Sequence, residues 1–258
     1  MSTTPYEPTV SPAGHHVAEI KWCRPPNNFI DADLARGIAQ ALEQLDGDRD
    51  CRVVIIAPEG KHFCGGANLA QRDRSRDTDA AGALYREVLR LFRTSKPIIA
   101  AVQGAAIGGG LGLALAADFR VVADDARLSA NFSRLGYFPG FGLTATLPRL
   151  IGIQRASQLL FSGRRVKASE ALEIGLAEKL APRDELRSAT LALASEIADS
   201  APLSVMAIRA RMRGGLAETV ADALEIESAE QGRLRLTQDF LEGVQATAER
   251  RQPLFTGA

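Results

Sequence analysis

The chain has 258 residues, 46% hydrophobic and 24% charged, the balance of a globular protein with room for one sizeable core. Lys+Arg and Asp+Glu number 31 each, so the net charge is zero, and no basic stripe points to nucleic acid. No apolar run approaches the ~20 residues of a membrane span, the three cysteines (Cys23, Cys51, Cys64) are too scattered for a disulfide framework, and without a His/Cys/carboxylate cluster at ligand spacing no metal is expected.

Met1 to Gly14 is polar and Pro-rich and lacks the basic start and apolar run of a signal peptide. It reads as a flexible tail, and the expected setting is cytoplasmic and reduced. Val17 to Trp22 alternates and reads as a strand, broken by Arg24-Pro25-Pro26-Asn27-Asn28. Asp33 is placed to cap a helix whose apolar face is Leu34, Ile38, Ala41, Leu42 and Leu45. Arg52 to Ala57 is a β-branched, buried strand. It runs into Lys61-His62-Phe63-Cys64-Gly65-Gly66-Ala67-Asn68-Leu69, a glycine-rich turn.

Gln71 to Asp79 mixes both charges with almost no apolar residues and reads as a loop beside the site. Ala80 to Thr94 is helical, with Leu84, Val88, Leu91 and Phe92 on one face. Pro97 to Val102 is a second buried strand. It leads into Ala105 to Ala114, where Gly108, Gly109 and Gly110 open a helix, and Phe119 to Ala123 is a third strand. Recurring strand, glycine turn and helix make an α/β pattern with near-continuous apolar strands. The Gly108 to Gly112 run does not fit the dinucleotide motif G-x-G-x-x-G.

From Leu143 the chain is mostly helical: Leu143 to Leu150, Gln154 to Phe161, Ser169 to Ile174, Asp184 to Ser200 and Pro202 to Met212, then a pair over 217–252 broken near Leu236-Thr237. Leu224, Leu234, Leu236, Leu241 and Val244 are among the apolar positions of that pair. They need a surface to cover them, either the core or a second subunit.

The two glycine turns carry the chemistry. Glycine lets backbone approach closely and adopt positive φ. Amides at a helix N-terminus are unpartnered and partly positive. Two such turns can offer two N–H donors to one oxygen, the arrangement of an oxyanion hole. Tight packing and phosphate binding are the other uses of such turns.

Six segments in register resemble the crotonase (enoyl-CoA hydratase/isomerase) superfamily. Arg24-Pro25-Pro26-Asn27 is similar to its N-R-P-x-N segment, and Lys61 to Leu69 to its K-x-F-x-A-G-A-D-[IL] turn. Lys96-Pro97 through Gly104 and Gly108-Gly109-Gly110 resembles K-P-x-I-A-A-x-x-G-x-x-x-G-G-G, and Ala117-Asp118-Phe119-Arg120 resembles A-x-D-x-R. Gly136, Pro139, Gly140 and Leu147 to Gly152 match a later signature, and Ser162-Gly163 with Ala168 to Ala177 a further one.

The resemblance implies an α/β crotonase-type ββα spiral core over 15–200 and a C-terminal helical trimerisation region over 201–258. It implies a homotrimer or dimer of trimers acting on an acyl-CoA thioester, with coenzyme A as part of the substrate and no permanently bound cofactor. It assigns the Ala67 and Gly109 amides to the oxyanion hole. Gly65, Gly66, Asn68, Leu69, Gly108 and Asn131 then lie around the substrate, with Arg24, His62, Cys64 and Phe255 as further substrate or CoA contacts.

The sequence departs from the pattern where protons move. The two hydratase glutamates map to Gly112 and Phe132, a third carboxylate position maps to Gly140, and the aspartate after the oxyanion alanine is Asn68. Tyr137 is a candidate acid–base group, with aromatic packing as its other role. Asn131 and Ser133 flank Phe132 and could bond a water. Asp73, Asp77 and Asp79 could swing over the pocket, and Arg72, Arg74 and Arg76 could meet CoA phosphates. Cys64 reads as a packing residue. Two hypotheses follow. One is an acyl-CoA enzyme with non-standard acid–base groups: an isomerase, thioesterase, decarboxylase or unusual hydratase. The other is an acyl-CoA-binding protein without chemistry.

Overall fold

The computed structural model describes residues 6–68 and 79–258. A six-stranded sheet has the order β1 (Thr9–Gly14), β2 (Val17–Lys21), β3 (Val53–Ile56), β4 (Ile98–Val102), β6 (Phe119–Ala123), β9 (Lys179–Ala181). Within this sheet only the β1–β2 pair is antiparallel. A three-stranded sheet carries β5 (Ala105–Ile107), β7 (Arg127–Ser129) and β8 (Arg165–Lys167).

The chain steps repeatedly from the large sheet to the small one. β4 continues into β5, and β6 into β7. β3 leads to Cys64, which forms a parallel bridge with Ala106 of β5. This is the expected spiral, and it brings successive strand-to-helix turns to one edge.

β3 and β4 are buried along their whole length, as their unbroken Val/Ile/Ala runs require. One face packs against α1 (Ala32–Gly47) and α2 (Asp79–Phe92); the other is covered by α7 (Leu186–Ala198) through Leu186, Ala194 and Ala198.

Two expectations near the N-terminus change. The segment from Thr9 to Gly14, read as tail, is strand β1, paired with β2 from Thr9↔Lys21 to Gly14↔Val17. Backbone pairing along an otherwise open sheet edge orders it despite its polar composition. The helix cap is Asp31, not Asp33: the Asp31 side chain accepts from Leu34 N at 2.9 Å, while Asp33 sits in the first turn and pairs with Arg36. Strands β5, β7, β8 and β9 had no counterpart in the sequence reading. At three residues each they are too short to show a period.

The helices α4 (Leu143–Ile151), α5 (Ile153–Ser162), α6 (Ala168–Glu173), α8 (Pro202–Met212), α9 (Leu216–Leu234) and α10 (Gln238–Glu249) follow, with the expected break at 235–237. Arg209 of α8 and Arg213, which caps the end of that helix, both bond the Asp118 carboxylate at 2.8 Å, tying the helix to the start of β6. α9 packs on α2 and α4, and α10 on the 3-10 turn Asn131–Leu135. No single described helix is long and apolar enough to cross a membrane.

Candidate active site

The two glycine turns are zipped together by backbone. Phe63 N donates to Gln103 O (2.7 Å), Cys64 N to Ala105 O (2.9 Å) and Ile107 N to Cys64 O (3.0 Å). Two glycines make this approach possible. A Cβ on Gly110 would overlap the Cys64 carbonyl, and Gly66, at φ +86°, faces Ile107 O where a Cβ would stand 2.7 Å away. Ala67 and Gly109 both line one cavity, and neither backbone N–H donates to a protein acceptor among the described residues. Gly109 is the first residue of α3 (Gly109–Ala116), so its N–H is one of the helix's open donors.

The cavity has a volume of about 480 Å³. It brings together the expected residues Gly65, Gly66, Ala67, Asn68, Gly108, Gly109, Asn131, Phe132, Tyr137 and Gly140. No Asp or Glu is among its described lining residues. Tyr137 is buried, its ring 4.7 Å from that of Phe240.

Other expected residues lie elsewhere. Gly112 is not on the cavity wall; it backs onto Phe141, with a Cβ there standing 2.6 Å from Phe141 Cβ. Arg24 bonds both carboxylate oxygens of Asp31 (2.7 and 2.6 Å) and so supports the cap of α1 rather than the cavity. His62 accepts from Ala105 N at 3.1 Å through Nδ1, bracing the second turn from behind. Burial pushes the His62 pKa down, and Lys61 and Arg183 add to the effect.

Cys64 is fully buried, and burial pushes its thiol up to about 12, so it packs and is no nucleophile. Phe255 is 42% exposed, on a terminal segment that Asp239 and Glu242 hold along α10 through Thr256 N, Gly257 N and Leu254 N. Leu69, Arg72, Asp73, Arg74, Arg76, Asp77 and the side chain of Asp79 lie outside the described residues.

Several residues at or beside the cavity carry no motif. Tyr85 of α2 donates to Gln231 Oε1 of α9 (2.9 Å), and Gln231 Nε2 donates to Phe138 O (3.0 Å) and Pro139 O (3.2 Å). One helical turn earlier, the buried Glu227 carboxylate accepts from Gly142 N (2.8 Å), Thr144 N (3.0 Å) and Thr144 Oγ1 (2.7 Å). Burial pushes the Glu227 pKa up, against these hydrogen bonds. Arg165 is the one charged side chain among the described lining residues, and no side-chain hydrogen bond or ion pair joins it to another described residue. The Glu227–Gln231 spacing of four is visible in the sequence, but on an amphipathic helix it reads as a solvated face.

A ββα spiral with paired glycine turns on one cavity defines a crotonase-type protein. The chain belongs to the enoyl-CoA hydratase/isomerase family, whose model, described as Enoyl-CoA hydratase/isomerase, matches residues 13–258. It is 34% identical over 247 residues to YngF of Bacillus subtilis, covering 94% of this chain and 95% of that protein. It is 35% identical over 232 residues to the crotonyl-CoA hydratase of Syntrophomonas wolfei, covering 88% and 89%. The solved enoyl-CoA hydratase/isomerase of Pseudoalteromonas atlantica superposes with a TM-score of 0.87 at 28% identity, covering 97% of this chain and all (100%) of that one.

Proposed function

We propose that the protein acts on an acyl-CoA thioester, with the Ala67 and Gly109 amides as an oxyanion hole for the thioester enolate. The observation that carries this reading is that Ala67 and Gly109, whose amides have no acceptor among the described residues, line one cavity. An enolate places negative charge on oxygen, and each fixed donor aimed at it is worth about 3 kcal/mol of barrier. Ordinary two-glutamate hydration is not expected, because the cavity wall offers no carboxylate among its described residues. Among the described lining residues, the phenols of Tyr137 and Tyr85 are the groups able to move a proton. The Arg165 guanidinium supplies a cation for an anionic part of the ligand.

The missing carboxylates favour a second reading, a non-catalytic acyl-CoA-binding protein of the same fold. Cytoplasmic location and a trimer or dimer of trimers remain part of the proposal. The apolar side chains that α5 and α8 expose (Ile153, Phe161, Leu203, Ile208, Met212) support self-association, to be read by light scattering.

The experiment is turnover and binding of a broad panel of CoA thioesters by wild type and Gly109→Pro. Proline fits the first position of a helix but removes the N–H. Turnover lost in Gly109→Pro supports the enzyme. Binding without turnover supports the carrier, and no binding of any thioester refutes both.

A further inference from the structure

The three positions where the resemblance places carboxylates are filled with other chemistry. At Gly112, a Cβ would stand 2.6 Å from Phe141 Cβ and 2.7 Å from Phe141 Cδ1, so the Phe141 side chain already takes that volume. At Gly140, a Cβ would overlap the Tyr85 hydroxyl and stand 2.5 Å from Gln231 Nε2. The third position is Phe132, which lines the cavity itself. The seats of the acid–base groups have become wall, and that wall is largely aromatic.

Phe141 is held there against its backbone preference. It has φ +65°, a left-handed conformation that a bulky residue rarely adopts. Its ring is 2% exposed, and it borders the cavity. The turn carrying it is gripped on both sides by one helix. Gln231 of α9 binds the carbonyls of Phe138 and Pro139 before it, and Glu227 of α9 binds the amides of Gly142 and Thr144 after it. Residues four apart share a helix face, so one face of α9 sets the whole 138–144 turn. Such over-determination is what keeps a strained residue in place.

We propose that Phe141 is a specificity-determining residue that, with Phe132, fits the cavity to bulky apolar acyl groups, and that Glu227 and Gln231 are its positioning residues. This rests on the acyl-CoA reading and names its substrate class. Phe29, Ile30, Leu84, Phe132, Leu135 and Phe141 line the space, whose volume of about 480 Å³ exceeds what a four-carbon acyl group fills. Each methylene buried there adds about fourfold in affinity.

The test is calorimetric titration with CoA and with butyryl-, hexanoyl-, octanoyl- and benzoyl-CoA. The proteins are wild type, Phe141→Gly, Phe141→Leu, Glu227→Gln and Glu227→Leu. Glycine accepts the positive φ, so Phe141→Gly removes the ring without straining the turn, and Phe141→Leu is the conservative control. Wild-type affinity is expected to rise by about two orders of magnitude from butyryl to octanoyl, about fourfold for each of the four added methylenes. In Phe141→Gly that rise is lost or moved to longer chains, while CoA alone changes less than about twofold. Glu227→Leu reproduces this profile, and Glu227→Gln, which keeps an acceptor, restores most of the wild-type one. A purely structural role for Glu227 would weaken all ligands alike and would overturn the positioning claim. A flat or falling wild-type series with intact CoA-thioester binding overturns the specificity claim and leaves the acyl-CoA reading standing. No binding of any thioester overturns that reading itself.

Discussion

The amide wall of the cavity and its aromatic wall both depend on glycine, but for opposite reasons. At Gly110 and Gly66 the missing Cβ lets backbone meet backbone, so the two turns close into a ladder anchored in β3 and β4. At Gly112 and Gly140 the missing Cβ makes room for someone else's side chain, Phe141 in one case and Tyr85 with Gln231 in the other. The first wall is held by neighbours in the spiral. The second is held by α9, more than eighty residues on in the chain: Glu227 to Gly142 spans 85 positions. A rigid donor pair and a remotely supported side-chain wall can therefore change independently of one another.

The sharpest way to break the first wall is Gly110→Ala. The new methyl collides with the Cys64 carbonyl, which is backbone and cannot swing aside. We expect a loss of about 3 kcal/mol, from overpacking that backbone cannot relieve, in denaturant unfolding. Next is Gly112→Glu, which collides with Phe141 rather than with backbone. A loss of about 2 kcal/mol is expected alone. Most of it should return in the double variant Gly112→Glu/Phe141→Gly, giving a favourable coupling of about 1–2 kcal/mol in a double-mutant cycle. Additive losses would show that Phe141 does not occupy that seat.

A smaller effect separates the walls by pH. Neutral His62 accepts from Ala105 N behind the second turn, and its folded pKa lies below the usual value near 6.5. The unfolded state therefore binds the proton more readily. Its contribution is fully present above about pH 6.5 and is lost as pH falls through the depressed folded value. Denaturant midpoints measured from pH 7.5 down to 5 should show this decline in wild type and a flatter profile in His62→Gln. An identical decline in both would remove His62 from the account. Smallest of all, Arg165→Gln should weaken thioester binding a fewfold, and less so at high salt, since an exposed charge is readily screened.

How much of this was legible follows from distance along the chain. The strands β3 and β4 and the turns after them are local: β-branched runs ending in glycines show a buried strand and open amides together. The cap on α1 was off by two residues because Asp31-Ala32-Asp33 offers two aspartates, and only the fold selects the one bonding Leu34 N. Arg24, His62 and Cys64 sit in motif segments but serve the scaffold, through Asp31, Ala105 N and core packing respectively. Tyr85 and Gln231 are 146 residues apart, and nothing local marks a Tyr on α2 or a Gln on α9 as partners. That Gly112, Phe132 and Gly140 stand where the resemblance implies carboxylates was readable. What occupies the space beside the two glycines, Phe141 at one and Tyr85 with Gln231 at the other, was not, since that depends on segments meeting in space.

The central claim is that the paired amides hold an acyl-CoA thioester beside a wall that has exchanged its glutamates for aromatic side chains. Its most direct test is titration with crotonyl-CoA, followed at once by calorimetry and by the absorbance of the enoyl thioester, in wild type and Gly109→Pro. The account predicts that wild type binds, that Gly109→Pro binds more weakly, and that wild type shows no rapid loss of the enoyl absorbance. Rapid hydration by wild type, or equal binding by both proteins, would contradict it.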